Sequence, residues 1–451
     1  MATEEESGRG QVSYLIAKSG MRVKSKLRGI TAKFSREAGG SLWQVSWLLA
    51  ATIIAGGFHY LANVFVGKLL GPEDYGIYAA LLAFSLILSA PMGVIQTIVA
   101  DYSARYAATS SHLGKLGAML ISTWRLLLPW AIGGALVIAL LSGPIAGFLQ
   151  IPSTLPVILL GFSLIPIALF PVVAGALQGL QRFGRYGWGQ ITAALLRFVL
   201  GVGFILLGWG VPGALLGGML AGLGAFLLGW WWLRDVHSGS TIIEFVRSEK
   251  PVVRPEVSRF SVIVILSMLG FMVLMNIDTI AVKSRFLPIE AGLYSAVATI
   301  GRVILYVPTA VVTLMFPRVA GEHAQGNPTS RLALRALLVT VGLSCIGLLI
   351  FSFNPELIMR LLFGQHFTGK AALLVPYSIA MLLLAVINVW MLYFLAVQEK
   401  LYTLFLLVGV SLIIFALFSL QLSLTGVVWA LIICNCGLVL AGGWLLWRRN
   451  D

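Results

Sequence analysis

Apolar residues run for about twenty positions or more at a time along most of this chain, and the polar breaks between runs are short. Twelve such runs stand near 43 to 67, 77 to 100, 117 to 148, 154 to 178, 188 to 209, 211 to 233, 258 to 282, 291 to 316, 332 to 353, 370 to 396, 401 to 420 and 424 to 447. A helix of that length crosses roughly 30 Å of hydrocarbon, and a helix satisfies its own backbone polar groups there. The pattern predicts an all-α polytopic membrane protein with about twelve spans. The closest breaks, near Gly208 to Pro212 and Gln421 to Thr425, leave little room for loops.

The polar gap after the first run reads Pro72-Glu73-Asp74-Tyr75-Gly76-Ile77-Tyr78, and the gap after the seventh reads Pro288-Ile289-Glu290-Ala291-Gly292-Leu293-Tyr294. Proline, acid, glycine and tyrosine thus recur at a constant offset of about 216 residues, the mark of an internal repeat. Two six-span units starting on the same side form a parallel repeat, an arrangement used by transporters whose site lies between the halves. The expected domains are a basic arm (1–42), a first bundle (43–233), a linker (234–257) with Pro251 and Pro255, a second bundle (258–447) and a tail (448–451). Pro72, Gly76, Tyr78, Pro288, Gly292 and Tyr294 read as a structural turn, with Tyr78 anchored at the outer interface. Pro156, Pro166 and Pro171 make the fourth span the expected bending helix of the first half.

Composition agrees: 59% of residues are hydrophobic, 11% are charged, and mean hydropathy is +0.95. With the N-terminus inside, Lys and Arg fall mostly on one side, about 22 against about five (Lys68, Lys283, Arg285, Arg360 and Lys370) in external loops. Both termini are expected in the cytoplasm of a cell with this chain in its inner or plasma membrane. The net charge of +14 then reflects topology and anionic lipid, not nucleic acid. From about residue 10 to 36 a helix would present Ile16, Val23, Leu27, Ile30 and Phe34 on one face, with Lys18, Arg22, Lys26 and Lys33 away from it. The three cysteines, Cys345, Cys434 and Cys436, lie within spans and suggest neither a disulfide nor a metal site.

No phosphate-binding loop, metal motif or nucleophile elbow is present, so the sequence reads as a transporter and not an enzyme. Candidate chemistry rests instead on charges inside spans, each costing about 2.5 to 3.5 kcal/mol on insertion scales. Arg302 lies about eleven residues into span eight, roughly 16 Å deep at about 1.5 Å per residue. Arg125 and Arg197 are shallower, so each either binds an anionic head group or snorkels to the interface. Asp278 either neutralises Arg302 or titrates and couples transport to a proton or sodium gradient. His59 either titrates or packs. Excess positive charge favours an anionic cargo such as a phosphate or pyrophosphate, held by guanidinium forks. Tyr60, Tyr306, Tyr377, Trp390 and Tyr393 are candidates to stack on sugar rings. No cofactor is expected.

Leu69 to Tyr78, its echo ending Ala291-Gly292-Leu293-Tyr294, the Asn276-Ile277-Asp278 segment and Phe316-Pro317-Arg318 resemble the polysaccharide transporter family of the multidrug/oligosaccharidyl-lipid/polysaccharide (MOP) exporter superfamily. The likeness covers nearly all of the chain after residue 40. It implies two six-helix bundles of the MATE-like MOP fold around a central cavity. It also implies a flippase that moves a polyprenyl-pyrophosphate-linked oligosaccharide between leaflets for cell-surface polysaccharides such as O-antigen or exopolysaccharide. Lipid, a lipid-linked oligosaccharide, and polysaccharide polymerases or glycosyltransferases are the partners implied. A multidrug or metabolite antiporter of the same superfamily is the alternative. A membrane polymerase or ligase is a further one, although the longest external segment, Asn354 to Gly369, is short for such chemistry.

Overall fold

The computed structural model describes the backbone of residues 3–107, 113–237, 258–325, 327 and 329–450. Its described side chains are those of 46–107, 116–236, 261–309, 319, 321–323, 325, 327 and 329–448. The side chains of the basic arm and residues 238–257 of the linker lie outside that description. The first half contains α1 (Thr3–Ala107), α2 (Leu113–Leu140), α3 (Ser142–Phe148), α4 (Leu155–Gly179), α5 (Phe183–Phe204), α6 (Gly210–Trp232) and the short α7 (Arg234–His237). The second contains α8 (Ser258–Arg285), α9 (Pro288–Gly301), α10 (Val303–Ala324), α11 (Ser330–Phe353), α12 (Pro355–Phe363), α13 (Leu374–Ala396), α14 (Leu401–Ser419) and α15 (Leu424–Asn450). No strand occurs among the described residues.

Ten helical stretches among the described residues are long and apolar enough to span a membrane. Two of them, Ser46–Ala107 and Phe183–Trp232, each hold two spans, which brings the number to the expected twelve. The first folds over at Gly71, whose φ of 75° suits glycine and few other residues. Pro72 follows immediately and cannot donate a helical hydrogen bond. The second bends through a π turn at Ile205–Trp209, where Gly208 and Gly210 both have positive φ. The proline-rich α4, by contrast, runs unbroken through Pro166 and Pro171. The prolines do not interrupt it, since a helix packed on its neighbours re-satisfies the carbonyls that proline frees. Here α4 packs on α1, α2 and α6.

The duplication is visible in backbone detail. Each half has a turn after its proline-flanked central helix in which a glutamine adopts positive φ, Gln181 at 55° and Gln398 at 57°. In the first half Arg182 clamps that turn. It pairs through both guanidinium nitrogens with Asp235, one bond at 2.9 Å, and donates to the Trp232 carbonyl at 3.1 Å.

The halves meet at the end that carries the twin motifs. One large apolar core takes in Val64, Tyr75, Tyr78, Leu149 and Leu160 from the first half and Leu274, Tyr294, Phe363, Tyr377 and Tyr402 from the second. Toward the linker end the first half has its own separate core, built from Val99, Leu116, Val172, Val173, Leu177 and Leu233. The hydrogen bonds that join the halves among the described residues lie at the motif end. Tyr75 Oη meets Thr299 Oγ1 at 2.8 Å, Lys68 Nζ donates to the Leu361 carbonyl at 3.2 Å, and Gln150 Nε2 to the Ser284 carbonyl at 3.1 Å. Among the described residues the halves are therefore joined at the motif end.

Candidate functional site

The site grows from α8 and from the joint between α9 and α10. Asn276, Asp278 and Thr279 on α8 are buried to within 1% exposure. Burying a carboxylate is tolerable only when donors surround it, and Asp278 has four, the weakest being the Thr279 hydroxyl at 3.4 Å from Oδ1. Arg302 donates to Oδ1 at 3.1 Å, and the hydroxyls of Tyr294 and Tyr377 donate to Oδ2 at 2.9 Å each. The same Arg302 nitrogen also donates to Thr279 Oγ1 at 2.7 Å. Tyr294 and Tyr377 meet edge to face with centroids 5.8 Å apart, so each ring holds the other's hydroxyl in place. Arg302 occupies the one-residue joint between helices, and Gly301 before it leaves room for Tyr377, whose ring a Cβ there would overlap. The Arg302 side chain is 10% exposed, and its Nε has no partner among the described residues.

The first half supplies a second guanidinium. Arg197 on α5 donates to Tyr78 Oη at 2.9 Å and to Asn63 Oδ1 at 3.3 Å. Phe198 beside it packs on Phe58 and Phe65, centroids 6.4 and 5.4 Å away, which fixes α5 against the first span. His59 stands one helical turn before Asn63, within range of the Arg197 charge, and its Nδ1 has no partner among the described residues. Tyr306, one turn beyond Arg302, is 51% exposed, and the charges of both Arg302 and Arg197 act on it. Tyr306 is thus a half-exposed phenol under the influence of two guanidiniums from opposite halves.

Several expectations need correction. Tyr78 is 3% exposed, and its hydroxyl binds Arg197 instead of sitting at a membrane interface. Its twin Tyr294 is fully buried on Asp278. Both tyrosines point into their own half, because the motif is packed against its copy and not held out to the head groups. A Cβ on Gly76 would lie 3.0 Å from the Gly292 nitrogen, and one on Gly292 would overlap the Pro72 carbonyl oxygen. Pro288 opens α9 at its first position, as proline's fixed φ allows. Of the five rings considered for stacking, Tyr377, Trp390 and Tyr393 are at most 5% exposed and belong to the core, leaving Tyr60 and Tyr306 accessible. Arg125 is exposed on α2, which packs mainly on α4, whereas Arg197 and Arg302 lie on α5 and at the α9 and α10 joint.

Lys283 also departs from expectation. Its position near the end of an apolar run suggests an external loop, but it lies on α8 and is fully buried. Cys345, Cys434 and Cys436 are free thiols.

Comparison with known proteins follows this geometry. The family model for polysaccharide biosynthesis proteins matches residues 41–321, more than half of the chain. An inward-facing multidrug-resistance MATE transporter of the MOP superfamily matches with TM-score 0.67 at 16% identity, covering 87% of this chain and 94% of its own. An outward-facing MATE structure gives 0.62 at 16% identity, covering 90% and 95%. A MOP-superfamily transporter from Pyrococcus furiosus, described by the reverse polarity of its binding pocket as suggesting a different function, gives 0.57 at 17% identity, with the same coverage of 90% and 95%. No curated protein matches the chain in sequence. The all-helical fold with two repeated halves is the one seen in these MOP-superfamily transporters, and this multi-pass membrane protein belongs to the polysaccharide biosynthesis protein family.

Proposed function

We propose that the protein is a flippase that carries a polyprenyl-pyrophosphate-linked oligosaccharide from the cytoplasmic to the external leaflet by alternating access. The observation that carries this reading is the sign of the charge left without an opposite partner near the middle of the two halves. Two guanidiniums, Arg197 and Arg302, come from opposite halves, while the deep carboxylate Asp278 is already engaged by one arginine and two tyrosines. In this reading Arg197, the more accessible of the two, meets the pyrophosphate first, and the Arg302 edge that carries the unpartnered Nε meets it from the other half. Guanidinium forks suit phosphate oxygens, and a low-dielectric cleft strengthens the attraction. Tyr306 and Tyr60 then flank the first sugars, and the polyprenyl chain stays in lipid.

The membrane is the inner or plasma membrane, with both termini cytoplasmic and the motif end external. Cargo enters at the linker end and leaves once the motif end parts. Proton or sodium coupling, through His59 or Asp278, belongs to the same proposal, as do a polymerase and glycosyltransferases as neighbours. No catalytic role is proposed for the chain.

The drug-antiporter reading is favoured by the resemblance in fold to MATE transporters. A lipophilic cation, however, needs a carboxylate that can receive it, and Asp278 is 1% exposed with four donors in place.

Ligand-induced thermal stabilisation of the purified protein separates the two readings. A ligand at 100 times its Kd stabilises by about 2.7 kcal/mol. A polyprenyl pyrophosphate should raise the unfolding temperature, and the same polyprenol without phosphate should not. The gain should shrink in Arg197→Gln. Stabilisation by a lipophilic cation, with none from the pyrophosphate, would overturn the flippase reading.

A further inference from the structure

Lys283 takes no part in holding the proposed cargo, and its surroundings are unusual for an ammonium. The side chain is fully buried at the motif-end seam, where α8 of the second half meets Gln150 of the first. Its hydrogen bond among the described residues is a long one, 3.4 Å from Nζ to the Gln150 backbone carbonyl. The charges of Glu73 and Asp74 act on it, yet neither makes an ion pair with it within 4.0 Å, and both acids are exposed to solvent. Water screens distant exposed carboxylates, so their attraction is weak against the cost of taking an ammonium out of water.

This seam is otherwise closely fitted. Gly76 and Gly292 touch backbone to backbone, Tyr75 bonds Thr299, and Phe363 from α12 packs on the Tyr75 ring with centroids 5.3 Å apart. The apolar and glycine contacts favour closure, and the stranded ammonium opposes it. Parting the halves here would return Lys283 to water and relieve that cost.

We infer that Lys283 is the gating residue of the motif end: its buried, poorly paired charge destabilises the sealed state so that the seam can open during each transport cycle. Glu73 and Asp74 partly offset that effect and set how far the balance tips. The inference rests on the transporter reading and its alternation between two faces. It does not depend on which cargo is moved.

The sign of two substitutions tests it. Spin labels at Leu69 and Leu287, both exposed near the seam on opposite halves, report opening by pulsed electron resonance. Labels at Arg105 and Gln325 report the linker end. The background is the full chain in lipid nanodiscs with the three cysteines replaced. Lys283→Met keeps the length of the side chain and removes its charge, so the short Leu69–Leu287 distance should gain about tenfold over the long one. Glu73→Gln with Asp74→Asn should move the same ratio the other way. Gly292→Ala, whose Cβ would overlap the Pro72 carbonyl, should hold the seam apart, and Gly76→Ala gives a milder form of the same block. If Lys283→Met opens the seam just as the acid substitutions do, the cluster is a lock and the inference is wrong. Unchanged distances in Lys283→Met would overturn it as well. Neither outcome needs a transport assay, so a failed flippase reading and a failed gate remain distinguishable.

Discussion

The twin tyrosines Tyr78 and Tyr294 occupy matching places in the two halves and do opposite electrostatic work. Tyr78 accepts a hydrogen bond from the guanidinium of Arg197, whereas Tyr294 donates one to the carboxylate of Asp278. The repeat has duplicated the scaffold, with its proline, glycine and tyrosine, and left the charges unlike. In the second half acid and base neutralise each other in a buried network. In the first half the cation is half-buried and paired only with neutral oxygens. In the proposed reading the first half offers the cargo a cation with no acid beside it, whereas the second half offers only the guanidinium edge that its carboxylate leaves unpaired.

The strongest way to break this comparison is at Asp278. Asp278→Ala strands Arg302 among buried side chains, and breaking a buried pair costs about 3 to 5 kcal/mol. Thermal unfolding of the purified protein should show a large loss, and Arg302→Gln added to it should recover part of the deficit. A double variant no better than the single would mean that the network does not act as a pair. Next in size is Tyr294→Phe, which takes one of four donors from a buried carboxylate and should cost about 1.5 to 3 kcal/mol. Its twin Tyr78→Phe should cost about 1 kcal/mol or less, because Arg197 keeps Asn63 and access to water. Equal losses at the two tyrosines would dissolve the contrast between halves.

The smallest effect concerns the first-half clamp. Arg182 beside Asp235 holds that carboxyl below the usual carboxylate range. A depressed folded-state value means that the clamp's contribution is fully present above the unfolded carboxylate value of about 3.9 and fades as pH falls through the folded one. The lowering of the unfolding temperature by Asp235→Asn should then be smaller near pH 3 than at pH 7. A loss of the same size at both values would assign the effect to packing alone.

Much of this architecture was legible before any coordinates. Runs of apolar residues marked the spans, and the recurrence of Pro72, Gly76 and Tyr78 at Pro288, Gly292 and Tyr294 marked the duplication. The tie between Asp278 and Arg302 followed from the cost of burying either alone, although the sequence left titration as the other use. The tyrosines and Lys283 were misplaced for one shared reason. Polar residues near the end of an apolar run look like interface or loop residues when only their own half is considered. At the motif end the opposite half packs over each motif, and hydropathy along one chain segment carries no information about what packs on it from more than 100 residues away. Arg125 and Arg197 looked alike on depth, and only the packing of α2 and α5 separates them.

The most direct measurement is movement of a polyprenyl-pyrophosphate oligosaccharide between leaflets of proteoliposomes, with and without a proton or sodium gradient. The parent protein should move it, Arg197→Gln should slow it by about tenfold or more, in keeping with the loss of a charged hydrogen bond to the cargo, and the same variant should unfold near the parent temperature. Undiminished movement in a variant carrying both Arg197→Gln and Arg302→Gln would contradict an anion site shared between the halves.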